Sequence, residues 1–157
     1  MSRRIILGSA AALVVLGGGG AFALAHAGEQ PPALNNSTAR YTAPAVDREG
    51  SFTFTTDVTA ASGVKSLKVL AWPADSPALA KNPLTQKELA AVESATCKPT
   101  GDDTAHCTYR VTVTAAESAE SAESAESAKG RWHVATLATA DNGDTSFNGK
   151  TATFTVD

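Results

Sequence analysis

The chain has 157 residues, of which 43% are hydrophobic and 18% are charged, and its formal net charge is −3. This length is enough for one domain with a modest hydrophobic core. An acidic balance disfavours a nucleic acid or an anionic membrane as the partner, because phosphate groups require a basic face. We therefore expect neither partner.

A cleavable secretory signal is predicted over residues 1–27. Arg3 and Arg4 give it a positive start, residues 5–24 carry no charge, and Ala25-His26-Ala27 is the small-residue pattern that signal peptidase cleaves. An uncleaved membrane anchor is the alternative. The four glycines of 17–20 argue against it, because each costs about 1 kcal/mol of helix propensity relative to alanine.

Cleavage would leave about 130 residues with a net charge of about −5, because the signal contains two of the 13 basic residues. The double arginine fits both the general and the twin-arginine export routes. No cysteine near the cleavage site could carry a lipid anchor. We therefore expect a secreted protein that is not held at a membrane after cleavage.

A flexible N-terminal tether is predicted over residues 28–43, which are rich in Pro, Asn, Ser and Thr. The folded domain is then predicted over 44–157. Within it, apolar residues alternate with threonine in a pattern typical of β-strands that are covered on one face. Three such strands are predicted at 51–58, 108–114 and 151–156.

Two longer and more apolar strands are predicted at 64–72 and 132–140. In the second, Val134 and Leu137 fall on opposite faces. Either both faces of this strand are covered, or a bulge between these residues changes the register. We favour the bulge.

One short helix is predicted over residues 85–94. Thr85 and Glu88 have the spacing of a capping box, and Leu84 and Leu89 are placed to form a hydrophobic staple across the first turn. The Pro-rich run 73–83 before it is predicted to be a surface connection.

Cys97 and Cys107 are predicted to form a disulfide, because an even pair of cysteines in an exported chain is usually oxidised. The residues between them are mostly turn formers. The alternative is a metal site that uses both thiols and His106, but no fourth ligand has a recognisable spacing.

Residues 115–129 contain an exact Glu-Ser-Ala triplet repeat. A period of three matches neither a strand nor a helix, and glutamates three residues apart repel one another on a helix. The segment is predicted to be a solvated, low-complexity loop between two strands rather than a functional acidic tail.

Two segments resemble parts of bacterial immunoglobulin-like domains. In residues 57–69 an aspartate ends one strand and a Ser-Gly-Val turn opens the next, while residues 130–144 have an aromatic after glycine and an Ala-x-Asp before a glycine turn. With the helix and the cysteine pair, residues 44–156 resemble a small family of exported actinobacterial proteins of unknown function. The resemblance implies an immunoglobulin-like sandwich and an exported location, and no active site.

Catalysis is not expected from this sequence. Its two histidines after the signal are His106, in a turn-rich loop, and His133, on a strand. There is no Gly-x-Ser-x-Gly motif, no free cysteine to act as a nucleophile, and no carboxylate pair that stands out. No cofactor is expected.

Asp57, Asp141 and Asp144 are candidates for a calcium site. Asp57 and Asp141 each close a strand, so they could meet at one pole of a sandwich, where carboxylate oxygens suit a hard cation. The sequence Asp-Asn-Gly-Asp at 141–144 is also a common tight turn, and no full calcium-loop spacing is present. We favour the turn.

Trp72 and Trp132 are candidates for a sugar-stacking or partner-binding surface. Trp132 follows glycine at the start of a strand, which is usual for a core residue. Trp72 shares a face with Lys68 and Leu70, opposite the apolar face of Leu67. We expect Trp72 to be exposed or to be covered by the helix, and of the two tryptophans it is the binding candidate.

The sequence therefore predicts an all-β, immunoglobulin-like sandwich of six to seven strands with one short inserted helix. Its predicted function is that of a monomeric, exported binding module without enzymatic activity, whose partner is an unknown protein or cell-surface ligand bound by loops at one pole. The alternatives are an inhibitor of a secreted hydrolase that presents the disulfide-held loop, and an unrecognised enzyme.

Overall fold

The computed structural model describes residues 30–114 and 129–157. The predicted signal (1–27) and nearly all of the predicted low-complexity loop (115–129) lie outside these residues. The described chain forms seven strands and two short helices: β1 (Ala33–Thr42), β2 (Gly50–Thr59), β3 (Val64–Pro73), α1 (Pro77–Lys81), α2 (Gln86–Ala90), β4 (Thr96–Pro99), β5 (Thr104–Val113), β6 (Gly130–Ala140) and β7 (Thr145–Val156).

The strands form two antiparallel sheets, one of four strands in the order β1-β2-β5-β4 and one of three in the order β3-β6-β7. The sheets pack face to face, and the core between them comes from alternate residues of the strands. Its buried members are Phe52, Phe54, Val58, Leu67, Val69, Ala105, Cys107, Val134 and Ala138. The predicted all-β sandwich is therefore confirmed, with seven strands.

An aromatic cluster closes the core at one end around Phe154 of β7. Its ring centroid lies 4.7 Å from that of Phe52 and 5.9 Å from that of Trp132, and Tyr41 stacks on it at 6.3 Å. Trp132 is thus part of the packing between the sheets, as the sequence predicted.

The predicted tether over 28–43 is wrong for most of its length, because it contains strand β1. Leu34, Ala39 and Tyr41 pack against the core, but the register against β2 shifts between Asn35 and Thr38. Asn36 has a φ of 54° within this bulge. The bulge adds one residue to β1, so the inward-facing residues are even-numbered before it and odd-numbered after it. The sequence of this strand therefore shows no continuous alternation of inward and outward residues.

Strand β6 is covered on both faces, so the favoured bulge within it is wrong and the other alternative is correct. Its pairing with β3 is continuous from Trp132 to Thr139. The register shift against β7 at Val134 and Thr136 comes from extra residues on β7. Val134 and Ala138 therefore face the other sheet, while Ala135 and Leu137 face outward and are buried under α2.

Helix α2 covers the outer face of the three-stranded sheet. Leu89 is fully buried with Ala135 and Leu137, and Leu70, Trp72, Leu84 and Val92 surround them. The predicted capping box is present: the backbone N–H of Glu88 donates to Thr85 Oγ1, and the backbone N–H of Thr85 donates to Glu88 Oε2 at 2.8 Å. The helix ends at Ala90 rather than near residue 94.

The single predicted helix is corrected to two, because α1 lies within the run 73–83 that was predicted as a plain connection. Ser76 is its N-cap and accepts from the backbone N–H of Leu79, and Pro77 occupies the first turn. This Ser-Pro pair is a recognisable helix start.

The chain crosses between the sheets just before β4. Ala95 donates its backbone N–H to Leu67 O at 2.7 Å, Ser94 bridges Lys68, and β4 then pairs with β5 of the other sheet. One short segment thus covers the edge of β3 and forms the edge of the four-stranded sheet.

We predict that Leu89→Ala lowers the free energy of unfolding by about 2–4 kcal/mol, because it removes the side chain that fills the space between α2 and β6. Urea denaturation measures this change. Lys87→Ala, on the exposed side of the same helix, should change stability by less than about 0.5 kcal/mol. Equal effects of the two substitutions would contradict the packing described here.

Candidate binding face on the four-stranded sheet

The predicted disulfide is present between Cys97 and Cys107, with an S–S distance of 2.06 Å. The two cysteines are direct partners across β4 and β5. Both thiols are consumed, so the alternative metal site with His106 is not formed. A crosslink that closes a loop of this length contributes about 2–3 kcal/mol in the chain-entropy model, and here it holds a four-residue edge strand in place.

The three candidate calcium ligands do not form a cluster. Asp57 lies on β2 two residues before its end, with its side chain on the outer face of the sheet, while Asp141 and Asp144 lie in the turn between β6 and β7. No group of three or more His, Cys, Asp or Glu residues within 30–114 and 129–157 is arranged to hold a metal ion.

The Asp-Asn-Gly-Asp segment is a tight turn, as favoured from the sequence. Gly143 has a φ of 94° and donates its backbone N–H to Ala140 O, and Asn142 Nδ2 donates to Asp144 Oδ2. Asp141 lies against Gly63, which has a φ of 95° and no side chain to displace the carboxylate.

Trp72 is half-buried beside α2, which matches one of the two environments expected from the sequence. Its Nε1 donates to Gly149 O at 3.1 Å, its ring lies 4.8 Å from that of His133, and Lys150 Nζ lies 5.9 Å from its centroid. These contacts occupy much of the ring, so Trp72 acts mainly in packing and offers little surface for stacking on a sugar.

His133 is the one described residue with a buried side-chain nitrogen, Nδ1, that lacks a hydrogen-bond partner. Burial lowers the pKa of His133 below its ordinary value, and the charges of Lys150 and Arg131 lower it further. The folded protein therefore favours the neutral imidazole.

We predict that acidification destabilises the protein through His133. Because its pKa is lower in the folded chain than in the unfolded chain, where it is about 6.5, its contribution is present above about pH 6.5 and is lost as the pH falls through the folded-state pKa. The fall in Tm between about pH 7.5 and pH 5 should be smaller in His133→Gln than in the wild type. An unchanged pH dependence would refute this assignment.

The outer face of the four-stranded sheet carries the most organised set of polar side chains. Residues directly opposite one another form three rows across the strands. The first row contains Lys98, His106, Asp57 and Asn35, the second contains Thr96, Thr108, Thr55 and Thr38, and the third contains Arg110, Thr53 and Arg40. Strand spacing places neighbours in a row about 5 Å apart and successive rows about 7 Å apart.

Asp57 and His106 are hydrogen-bonded in the first row, with Nδ1 2.7 Å from Oδ1 and side chains that are 34% and 48% exposed. Asn36, on the β1 bulge, donates to the other carboxylate oxygen at 2.9 Å. Hydrogen bonds from Asn36 and His106 lower the pKa of Asp57. Both carboxylate oxygens are thus occupied, and the imidazole is held in one orientation.

A shallow depression of about 470 Å³ lies beside this pair. It is lined by Thr96, Lys98, His106, Thr108 and Arg110 of β4 and β5. His106 was singled out from the sequence, but the other four were not. They come together only through the register of β4 on β5, which no local sequence pattern reveals.

A comparison with protein-family profiles matches residues 34–138 to the family of unknown function DUF5707. This range runs from β1 into β6, so the chain belongs to that family. Neither the curated proteins nor the solved structures contain a match. Among the described residues, no helix is long and apolar enough to cross a membrane.

Proposed function

We propose that this protein is an exported binding module without enzymatic activity, and that it recognises its ligand with the outer face of the four-stranded sheet. The observation that carries the proposal is the exposed, ordered set of polar side chains around the depression of β4 and β5. A rigid sheet holds these groups at fixed spacings, so little conformational entropy is lost when a ligand binds.

We also propose that the sandwich is immunoglobulin-like. The orders β1-β2-β5-β4 and β3-β6-β7 correspond to the ABED and CFG sheets of constant-type immunoglobulin domains. The disulfide differs, because it joins the fourth and fifth strands within one sheet instead of linking the two sheets. Export is supported by the signal pattern of residues 1–27 and by a disulfide that requires an oxidising compartment.

The sheet face is favoured over the loops at one pole, where the sequence had placed recognition. Three of those loops are hydrogen-bonded to one another: Ala60 N–H donates to Asp103 O, and Asp141 N–H donates to Gly63 O. These backbone groups are therefore engaged in hydrogen bonds between the loops. On the sheet face, the exposed side chains of Lys98 and Arg110 remain available to a ligand.

The absence of catalysis remains part of the proposal. Asp57 and His106 resemble two members of a catalytic triad, but both lie on an open, solvated face. Enzymes usually exclude water from such groups, since electrostatic stabilisation of a transition state is weak in contact with bulk solvent.

We predict that Thr108→Tyr abolishes ligand capture, because the ring would obstruct the middle of the depression. The immobilised protein is exposed to culture supernatant and cell-surface material of the producing organism, and the bound fraction is measured. Thr153→Tyr, at an exposed position of β7 on the other sheet, is the matched control and should bind like the wild type. Equal capture by both variants would place the ligand elsewhere, and no capture by the wild type would count against a binding module.

Inhibition of a secreted hydrolase is a second candidate, favoured by the rigidity of the loop between β4 and β5. The backbone N–H groups of Thr100 and Gly101 both donate to Thr104 O, and the disulfide closes the hairpin behind them. A preorganised loop of this kind loses little entropy on entering an active-site cleft.

This candidate predicts stoichiometric inhibition of at least one secreted protease in a panel, with a loss of about tenfold or more in potency on reduction of the disulfide. Asp102→Ala at the exposed tip should weaken inhibition, and Asp144→Ala in the other turn should not. Inhibition that survives reduction would exclude this mechanism.

A further inference from the structure

We infer that the depression lined by Thr96, Lys98, His106, Thr108 and Arg110 binds a tetrahedral oxyanion, a phosphate or sulfate group carried by the ligand. This inference names the ligand chemistry of the proposed binding face and therefore rests on that proposal. It rests on three observations. Hydrogen-bond donors line the depression, two cationic side chains there have no carboxylate partner among the described residues, and the described residues of the outer face include no Phe, Tyr or Trp.

Several hydrogen-bond donors converge on the depression. Lys98 lies directly opposite His106, and Thr96 lies directly opposite Thr108. Arg110 follows Thr108 by two residues and lies on the same face of β5. Lys98, His106 and Arg110 thus line the depression together with two hydroxyls. Lys98 and His106 lie about one row, or 7 Å, to one side of Thr96 and Thr108, and Arg110 lies about the same distance to the other, so an oxyanion over the threonines lies within reach of the long Lys and Arg side chains.

The two permanent cations have no acidic partner among the described residues. Within residues 30–114 and 129–157, Asp57 and His106 form the one contact of 4.0 Å or less between a carboxylate oxygen and a basic side-chain nitrogen. Lys98 and Arg110 therefore have no carboxylate partner there. Asp57 does not take that role: its carboxylate accepts from Asn36 and His106, and neither cation lies within 4.0 Å of it.

The residue types on this face favour an oxyanion over an uncharged sugar. Aromatic side chains of the four-stranded sheet, including Phe52, Phe54 and Tyr41, occupy core-facing positions. Among the described residues, no Phe, Tyr or Trp ring therefore lies on the outer face for a sugar to stack on. A tetrahedral oxyanion, with three or four oxygens, matches the number of donors better than a carboxylate with two.

The Asp57 contact also sets the role of His106. Its Nδ1 donates to the carboxylate, so Nε2 is the nitrogen left for a ligand. Asp57 on β2 and Lys98 on β4 lie directly opposite His106 on the neighbouring strands.

The acidic net charge of the chain is compatible with this site. Net charge controls long-range attraction, which salt screens over about 8–10 Å, whereas the depression acts through direct hydrogen bonds. The expected affinity for one free anion is therefore weak, in the millimolar range.

The test is a titration of the ¹⁵N-labelled protein with sodium sulfate, at constant ionic strength against sodium chloride, followed by NMR. Sulfate is used because it does not titrate between pH 6 and 8. Saturable shifts should centre on the amides of residues 96–98 and 106–110. Lys98→Gln and Arg110→Gln should each weaken binding by about 3- to 10-fold.

Arg40→Gln is the matched control, because it removes the same charge from the same face two strands away from Arg110. It should change sulfate affinity by less than about twofold. Shifts that do not saturate, or equal losses in Arg40→Gln and Arg110→Gln, would show diffuse charge screening and overturn the inference.

Two further titrations show whether the oxyanion is a free anion or part of a polymer. Inorganic phosphate represents the free anion, and long-chain polyphosphate represents a polymer that could reach Arg40 across the sheet. Polymer binding that is tighter per phosphate and is weakened by Arg40→Gln indicates a polymeric ligand, and equal affinity indicates the free anion. Either result supports an oxyanion site, whereas no binding of any of the three probes overturns it.

Failure of this inference is separable from failure of the proposed function. If the wild type captures a ligand and Thr108→Tyr does not, but sulfate and phosphate do not bind, the face is a binding site for different chemistry. If the anions bind as described but no ligand is captured, the anion site stands and the binding-module proposal does not.

Discussion

Side chains at alternate positions of β2 and β5 hold the two sheets together, and this alternation also decides which residues reach the candidate binding face. Phe52, Phe54 and Val58 of β2 are buried against the other sheet, so Thr53, Thr55 and Asp57 must point outward. The same rule on β5 buries Cys107 and exposes His106. The candidate site is therefore a direct consequence of core packing, because a shift of either strand by one residue would exchange its two faces.

The two sheets differ in what covers their outer surfaces, and this difference explains where recognition can occur. The three-stranded sheet carries apolar residues on both faces of β6, and α2 buries the outer ones. The four-stranded sheet carries threonine and charged residues outside, which are satisfied by water or by a ligand. Trp72 and His133 belong to the first surface, and Asp57 and His106 belong to the second.

Local patterns were sufficient to predict much of the fold. Alternation of threonine with apolar residues identified β2, β5 and β7, and the Thr85–Glu88 spacing identified α2. Strand β1 could not be found in this way, because its bulge at Asn36 breaks the alternation. The site was only partly visible: His106 is a distinctive residue, whereas Lys98 and Arg110 become its neighbours only through pairing across strands that carries no local signal.

The crossing segment before β4 has a further consequence, for self-association. A free sheet edge is a template on which a second chain can add a strand. On the β4 side, residues 94–95 already bond to β3, and β4 itself is only four residues long, is crosslinked to β5 and ends at Pro99, which has no N–H to offer. Strand addition is therefore disfavoured along this side. The long β1 and β7 on the opposite side are where edge-to-edge aggregation would have to begin.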